Sequence, residues 1–254
     1  LGNFYEYYLS NKNEKINIVV ATSGDTGAAA IDAIKGKKNI NIFVLHPHNR
    51  ISPVQRKLMT TGHEKNVFNI AINGNFDDCQ NLVKSMFADK PFSNSINMSG
   101  VNSINWARIV AQCVYYFYSF FLIKDRSEPI NFSVPTGNFG DVYAGYLAKK
   151  MGLPINKLVV ATNQNDILHR AISKGEYNIE KVSETVSPSM DIQLASNFER
   201  LLYDINNHDD VQTASVMKDI KEKGKHTIDK KKLEKINIDF LSARMSEEEV
   251  IKTI

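Results

Sequence analysis

Cysteine is scarce. Cys79 and Cys113 are the only two in 254 residues, and neither belongs to a C-x-x-C pair. That excludes a disulfide framework and zinc-ligand spacing, and it suits a reducing, cytoplasmic compartment. Charge of one sign is also short: 31 Lys and Arg against 28 Asp and Glu leave a net +3. The densest basic run, Lys230-Lys231-Lys232, reads as a solvated helix face or loop, and no nucleic-acid partner is expected. The longest apolar run, Val110 to Ile123, is too short to span a bilayer and is bounded by Arg108 and Lys124. It reads as a buried helix, and no membrane partner is expected. No G-x-G-x-x-G follows the first strand, which argues against a dinucleotide-binding protein. His46, His48 and His63 fall in or near loops, read as surface positions, and make no metal site. There is no internal repeat or low-complexity tract. Leu1-Gly2-Asn3-Phe4 lacks the basic-then-apolar pattern of a signal peptide.

What is present is ordinary globular composition, 43% hydrophobic and 23% charged. Residues 1–10 read as the end of a helix with Phe4, Tyr7 and Tyr8 on its apolar side. Strands are expected at 16–21, 40–45, 67–72, 130–134 and 158–161, where β-branched and apolar residues concentrate. Helices are expected at 28–34, after the Ser52 cap with Pro53 at its first position, after the Asn75 cap, and at 104–124, 142–151 and 167–174. The stretch 94–103 reads as a polar connection. The helix after Asn75 has the apolar stripe Phe76, Cys79, Leu82, Val83 and Met86.

Alternating strands and helices predict an α/β fold with a mainly parallel twisted sheet, flanking helices and right-handed crossovers. Residues 1–185 form the sheet region, within which 16–110 would be the smaller of two subdomains. Beyond 185 the strands fade and 186–254 reads as a mostly helical, incomplete C-terminal region. Its stripes are Phe198, Leu201, Leu202 and Ile205, then Val216, Met217 and Ile220. The polar segment 173–190 is a candidate boundary or mobile loop.

Three polar strand-to-helix junctions, 22–27, 136–141 and 162–166, are expected on the side where parallel sheets bind ligands, beyond the carboxyl ends of the strands. In Thr136-Gly137-Asn138-Phe139-Gly140-Asp141 two glycines let the backbone turn its N–H groups toward one point, and the helix start adds unpaired donors and its dipole. That junction suits a phosphate, and 22–27 suits a second acidic group. Turn geometry alone is the other reading of both.

These residues carry a resemblance. Ala21 to Gly27, Asn102-Ser103-Ile104-Asn105, Pro135 to Asp141, Ala161-Thr162-Asn163, and Ser189-Met190-Asp191 through Ser196-Asn197-Phe198-Glu199-Arg200 resemble, in order, the motifs of threonine synthase. The match runs from residue 1 to about 207 and more loosely to the end. It implies a fold-type II pyridoxal-phosphate enzyme that converts O-phospho-L-homoserine and water to L-threonine and phosphate. It implies that Gly137, Asn138, Phe139, Gly140 and Asp141 hold the cofactor phosphate; because an acid is ill placed beside an anion, the Asp141 carboxylate is expected to cap helix N–H groups. It implies a substrate set of Thr22, Ser23, Gly24, Asp25, Thr26, Asn102, Ser103 and Asn105. Arg108 joins the set on a different ground, as an arginine on an otherwise apolar helix that is costly unless paired and so is expected to meet the substrate phosphate or carboxylate. For Thr22, Ser23 and Thr26 helix capping is the alternative; for Arg108 it is a structural ion pair.

The family's Schiff-base lysine lies just before the helix read at 1–10. No lysine here fits that place, because Lys12 and Lys15 follow the helix in a polar turn. The expectation is a piece of a longer protein, truncated at both ends. The lysine would stand upstream of Leu1, and the partner of the pyridine nitrogen beyond residue 254. Alone the piece would be inactive. A phospholyase of the same fold type and a non-catalytic phosphate-binding remnant are the rival readings.

Overall fold

The computed structural model describes residues 2–22, 24–102, 104–124 and 127–253. It divides into two compact units, Leu1–Asn105 and Trp106–Ile254.

The first unit runs α1 (Gly2–Lys12), β1 (Ile16–Ala21), α2 (Asp25–Ile34), β2 (Ile40–Pro47), α3 (Pro53–Thr60), β3 (Val67–Ile72), α4 (Phe76–Ala88), α5 (Lys90–Ser95) and β4 (Met98–Gly100). The strands pair in the order β3-β2-β1-β4, all parallel. Ile18, Val20, Ile40, Ile42 and Val44 from the central strands pack with Ile31 and Ile34 of α2. Both expected caps form. Ser52 accepts the Gln55 N–H at 3.2 Å ahead of Pro53, and Asn75 exchanges a capping box with Asp78 at 3.0 and 2.7 Å. The expected polar connection, 94–103, takes in the end of a short helix, α5, capped by Asp89, and the edge strand β4. Two apolar stripes are less buried than their spacing suggested. Phe4, Tyr7 and Tyr8 of α1 are exposed while Gly2 and Leu9 face inward, and Leu82 of α4 is exposed beside buried Cys79.

The second unit continues with α6 (Trp106–Leu122), β5 (Ile130–Pro135), α7 (Gly140–Lys150), β6 (Ile155–Thr162), α8 (Ile167–Lys174), β7 (Glu176–Asn178), α9 (Phe198–Ile205), α10 (Asp210–Lys223), β8 (Lys225–Thr227), α11 (Lys230–Asp239), β9 (Phe240–Arg244) and α12 (Glu247–Thr253). A 3-10 turn at Pro188–Met190 lies between β7 and α9. Strands β5, β6 and β9 form a parallel sheet; β7 and β8 form an antiparallel pair. The expected fading of strands beyond 185 therefore does not hold for 240–244, where Phe240 to Arg244 align with Leu158 to Thr162. The stripe of α9 is buried as its spacing requires.

Helix α6 is buried as expected on one face only. Ile109, Cys113, Tyr116 and Phe120, at helical spacing, enter the core, while Val114, Tyr115, Tyr118, Phe121 and Leu122 face outward. Among the described residues no helix is long and apolar enough to cross a membrane. Tyr116 meets α7 at Gly145, where an added Cβ would lie 2.5 Å from the tyrosine ring and 2.9 Å from Leu158. Both neighbours are buried and cannot move aside. Gly145→Val is expected to destabilise the fold by about 1–3 kcal/mol through overpacking, read as a lower denaturation midpoint with an unchanged slope.

Candidate cofactor and substrate site

Strand β5 ends at Pro135, and the chain turns into α7 through Thr136-Gly137-Asn138-Phe139. The turn is anchored to the neighbouring strand: Thr136 N–H donates to the Ala161 carbonyl at 2.8 Å, and its hydroxyl donates to the Val134 carbonyl at 2.6 Å. At Gly137 there is no room for a side chain, since a Cβ would stand 2.3 Å from the Ser189 carbonyl oxygen. Phe139 then takes the left-handed conformation, φ 64° and ψ 8°, directly before the first turn of α7. That costs a non-glycine residue of order 1–3 kcal/mol. Its ring offsets the cost. The ring is fully buried, meeting Phe198 edge-on at 5.2 Å and Phe240 at 5.6 Å, and burying a phenylalanine stabilises by about 1.5–3 kcal/mol before the aromatic pairs are counted.

The N-cap residue of α7, Phe139, supplies no side-chain cap. The N–H groups of its first turn thus project from the helix start with the positive end of the dipole, the arrangement that binds anions. The capping role expected of Asp141 is not what the geometry shows. Its Oδ1 is buried without a hydrogen-bond partner, and burial raises its carboxyl above the ordinary 3.8 although a Tyr116 contact pulls the other way. A raised pKa favours the neutral carboxyl, which can donate a hydrogen bond. A glycine cradle with no space for Cβ, a helix start whose N-cap residue offers no side-chain cap, and an orphaned carboxyl oxygen together fit a phosphate group.

The 162–166 junction stands beside this loop, because Pro135 and Ala161 are register partners in adjacent parallel strands. It is a dense buried network that sequence reasoning did not resolve. Asp191 Oδ1 accepts from Asn163 Nδ2, Asn165 Nδ2 and the Thr185 hydroxyl at 2.8, 3.0 and 2.7 Å, and its Oδ2 accepts the Thr185 N–H at 2.7 Å. These bonds hold the 185–191 segment whose Ser189 abuts Gly137. Arg170, nearly buried on α8, pairs with Asp166 at 2.8 Å and Glu180 at 3.1 Å. The only sequence signal for this network was the excess of Asn and Asp at the end of a strand.

The 22–27 junction belongs to the other unit and its own sheet, so it does not share a strand edge with the first two. Thr22 is buried and turned inward: its Oγ1 accepts the N–H groups of Gly24 and Gly27, both at 2.9 Å. Gly24 sits at φ 141°, with the Gln55 side chain where a Cβ would be. Asp25, at the exposed start of α2, accepts from Gln55 Nε2, and Gln55 Oε1 is left buried without a partner. Thr26 is half-buried on the first turn of α2. Asn102 is exposed, its Oδ1 accepting the Ile104 N–H at 3.1 Å, and Asn105 N–H reaches the Asn102 carbonyl at 3.4 Å. Arg108 is half-buried on α6; burial pulls its pKa below the ordinary value, with Tyr115 acting in the opposite direction. It remains charged. Ser23 and Ser103 lie outside the described residues. Of His46, His48 and His63, the latter two are exposed, but His46 is buried in β2 and not a surface residue.

Residues 4–225 match the family model described as "Pyridoxal-phosphate dependent enzyme". The chain belongs to that family, on an α/β fold of fold type II with parallel sheets flanked by helices. It is 48% identical over 274 residues to the threonine synthase of Saccharomyces cerevisiae, a match covering all of this chain and 53% of the relative. It is 47% identical to that of Pseudomonas aeruginosa, covering 54% of it. The crystal structure of pyridoxal-phosphate-bound threonine synthase from Brucella melitensis superposes with a TM-score of 0.92 at 49% identity, over all of this chain and 55% of that one. The chain thus spans about half the length of the curated relatives it matches.

Asp141→Asn, which keeps the shape, tests the buried carboxyl. A group with a raised folded pKa favours the fold fully below its unfolded value, and that advantage is lost as pH rises through the folded one. The variant is expected to gain stability relative to wild type as pH climbs from below 3.8 through the raised value, measured by denaturation across that range. A parallel pH profile for the two proteins would contradict it.

Proposed function

We propose that this chain is the cofactor-phosphate and substrate-binding portion of a threonine synthase, converting O-phospho-L-homoserine and water to L-threonine and phosphate. The observation that carries the reading is near-half identity to threonine synthases along the whole chain, and the anion-fitting 136–141 junction supports it. Gly137, Asn138, Phe139, Gly140 and Asp141 hold the phosphate of pyridoxal phosphate. When bound, that cofactor supplies an electron sink for carbanions beside the substrate amine. The chain's residues bind and orient. The α2 start, with Thr22, Ser23, Gly24, Asp25 and Thr26, takes the substrate carboxylate on backbone N–H groups shaped by the inward Thr22 hydroxyl. Asn102, Ser103, Asn105 and Arg108 complete the substrate set, with Arg108 meeting the substrate's phosphate or carboxylate. The small-molecule substrate is the only partner in this reading. Two buried free cysteines accord with a cytoplasmic setting.

The test uses the full-length protein with pyridoxal phosphate and O-phospho-L-homoserine, assaying threonine and inorganic phosphate. Equimolar products are expected. Phosphate accompanied by a keto acid would move the assignment to a phospholyase, and no cofactor binding would overturn it. Arg108→Ala is expected to lower kcat/KM for the phosphorylated substrate roughly 10- to 100-fold, the range for losing a charge-assisted contact, while cofactor affinity is unchanged.

A further inference from the structure

We propose that Asn197 is a positioning residue for the phosphate loop, holding the carbonyl of Asn138 so that the loop enters its left-handed turn. The inference rests on the reading that residues 137–141 take the cofactor phosphate.

Asn197 precedes α9 and is completely buried. Its backbone N–H and its Nδ2 both donate to the Asn138 carbonyl oxygen, each at 3.1 Å, across 59 residues of sequence. Its Oδ1 accepts from Arg200 Nε at 3.2 Å, which fixes the side-chain orientation with the oxygen toward Arg200 and the amide nitrogen toward the loop. The Arg200 guanidinium lies over the Trp106 ring at 5.3 Å. The neighbouring Phe198 meets the ring of Phe139. Successive residues 197 and 198 therefore grip successive residues 138 and 139, one through a carbonyl and the other through a ring.

The grip matters for an anion loop. A loop that binds an anion must present N–H groups and keep its carbonyl oxygens away. A peptide plane has one hinge on each side, so fixing the Asn138 carbonyl also fixes the N–H of Phe139, which donates to the Gly137 carbonyl at 2.9 Å. Two donors from one buried residue hold that plane in place. Nothing in Asn197 needs to touch the cofactor.

The experiment uses full-length protein stripped of cofactor. Wild type, Asn197→Asp and Asn197→Ser are titrated with pyridoxal phosphate and, separately, with pyridoxal, which lacks the phosphate. Asn197→Asp keeps the shape but replaces the donating amide with a carboxylate oxygen. The expected result is a pyridoxal-phosphate Kd raised about ten-fold or more in both variants, with pyridoxal affinity unchanged. Wild type that binds the two ligands equally would sink the phosphate-loop reading itself. If wild type discriminates and both variants discriminate equally well, the positioning role is overturned. Equal weakening of both ligands would likewise overturn it, as the mark of a residue that only supports the fold.

Discussion

Phe139 holds a backbone conformation that glycine adopts freely and phenylalanine does not, and its buried ring keeps it there. The ring is wedged between Phe198 of α9 and Phe240 of β9, elements that lie 59 and 101 residues further along the chain. The turn before α7 is thus maintained by the assembled core of the second unit and not by local sequence. If that core loosened, the strained φ would relax and the first-turn N–H groups would lose their common direction. Site and core are one construction here: the same packing that stabilises the unit shapes the anion cradle.

The two loops that carry the proposed function reach similar ends by different means. In the first unit the α2 start is shaped by a polar contact, one threonine hydroxyl accepting two N–H groups. In the second, the α7 start is shaped by an apolar wedge and by a backbone contact at Gly137 that excludes any side chain. The polar shaping group, Thr22, is itself buried. The apolar wedge needs a larger core around it, and the second unit has one.

Much of this was legible in the sequence where the signals are local. The β-branched runs at 16–21 and 67–72 are strands at those bounds, and Ser52 and Asn75 cap helices because a side-chain oxygen there has an N–H three residues on. Elements defined by distant partners were not legible. Strand β4 has three residues and exists through its pairing with β1; β9 has a mixed pattern, Phe-Leu-Ser-Ala-Arg, and exists through its register with β6. Asn and Ser at 94–103 looked like loop because these residues favour caps and turns, and a six-residue helix capped by Asp89 sits partly among them. Apolar composition could not reveal that α6 turns one apolar face outward. At the site, glycine and the strand-to-helix order marked the loop. The left-handed Phe139, the orphaned Asp141 oxygen and the Asp191 network depend on contacts no spacing encodes.

The most direct test of the central claim is a crystal structure of the full-length protein with pyridoxal phosphate. The account predicts the phosphate at the start of α7, within hydrogen-bonding distance of the backbone nitrogens of Gly140, Asp141 and Val142, with Phe139 still left-handed. A phosphate seated elsewhere, with this helix start facing only water, would contradict it.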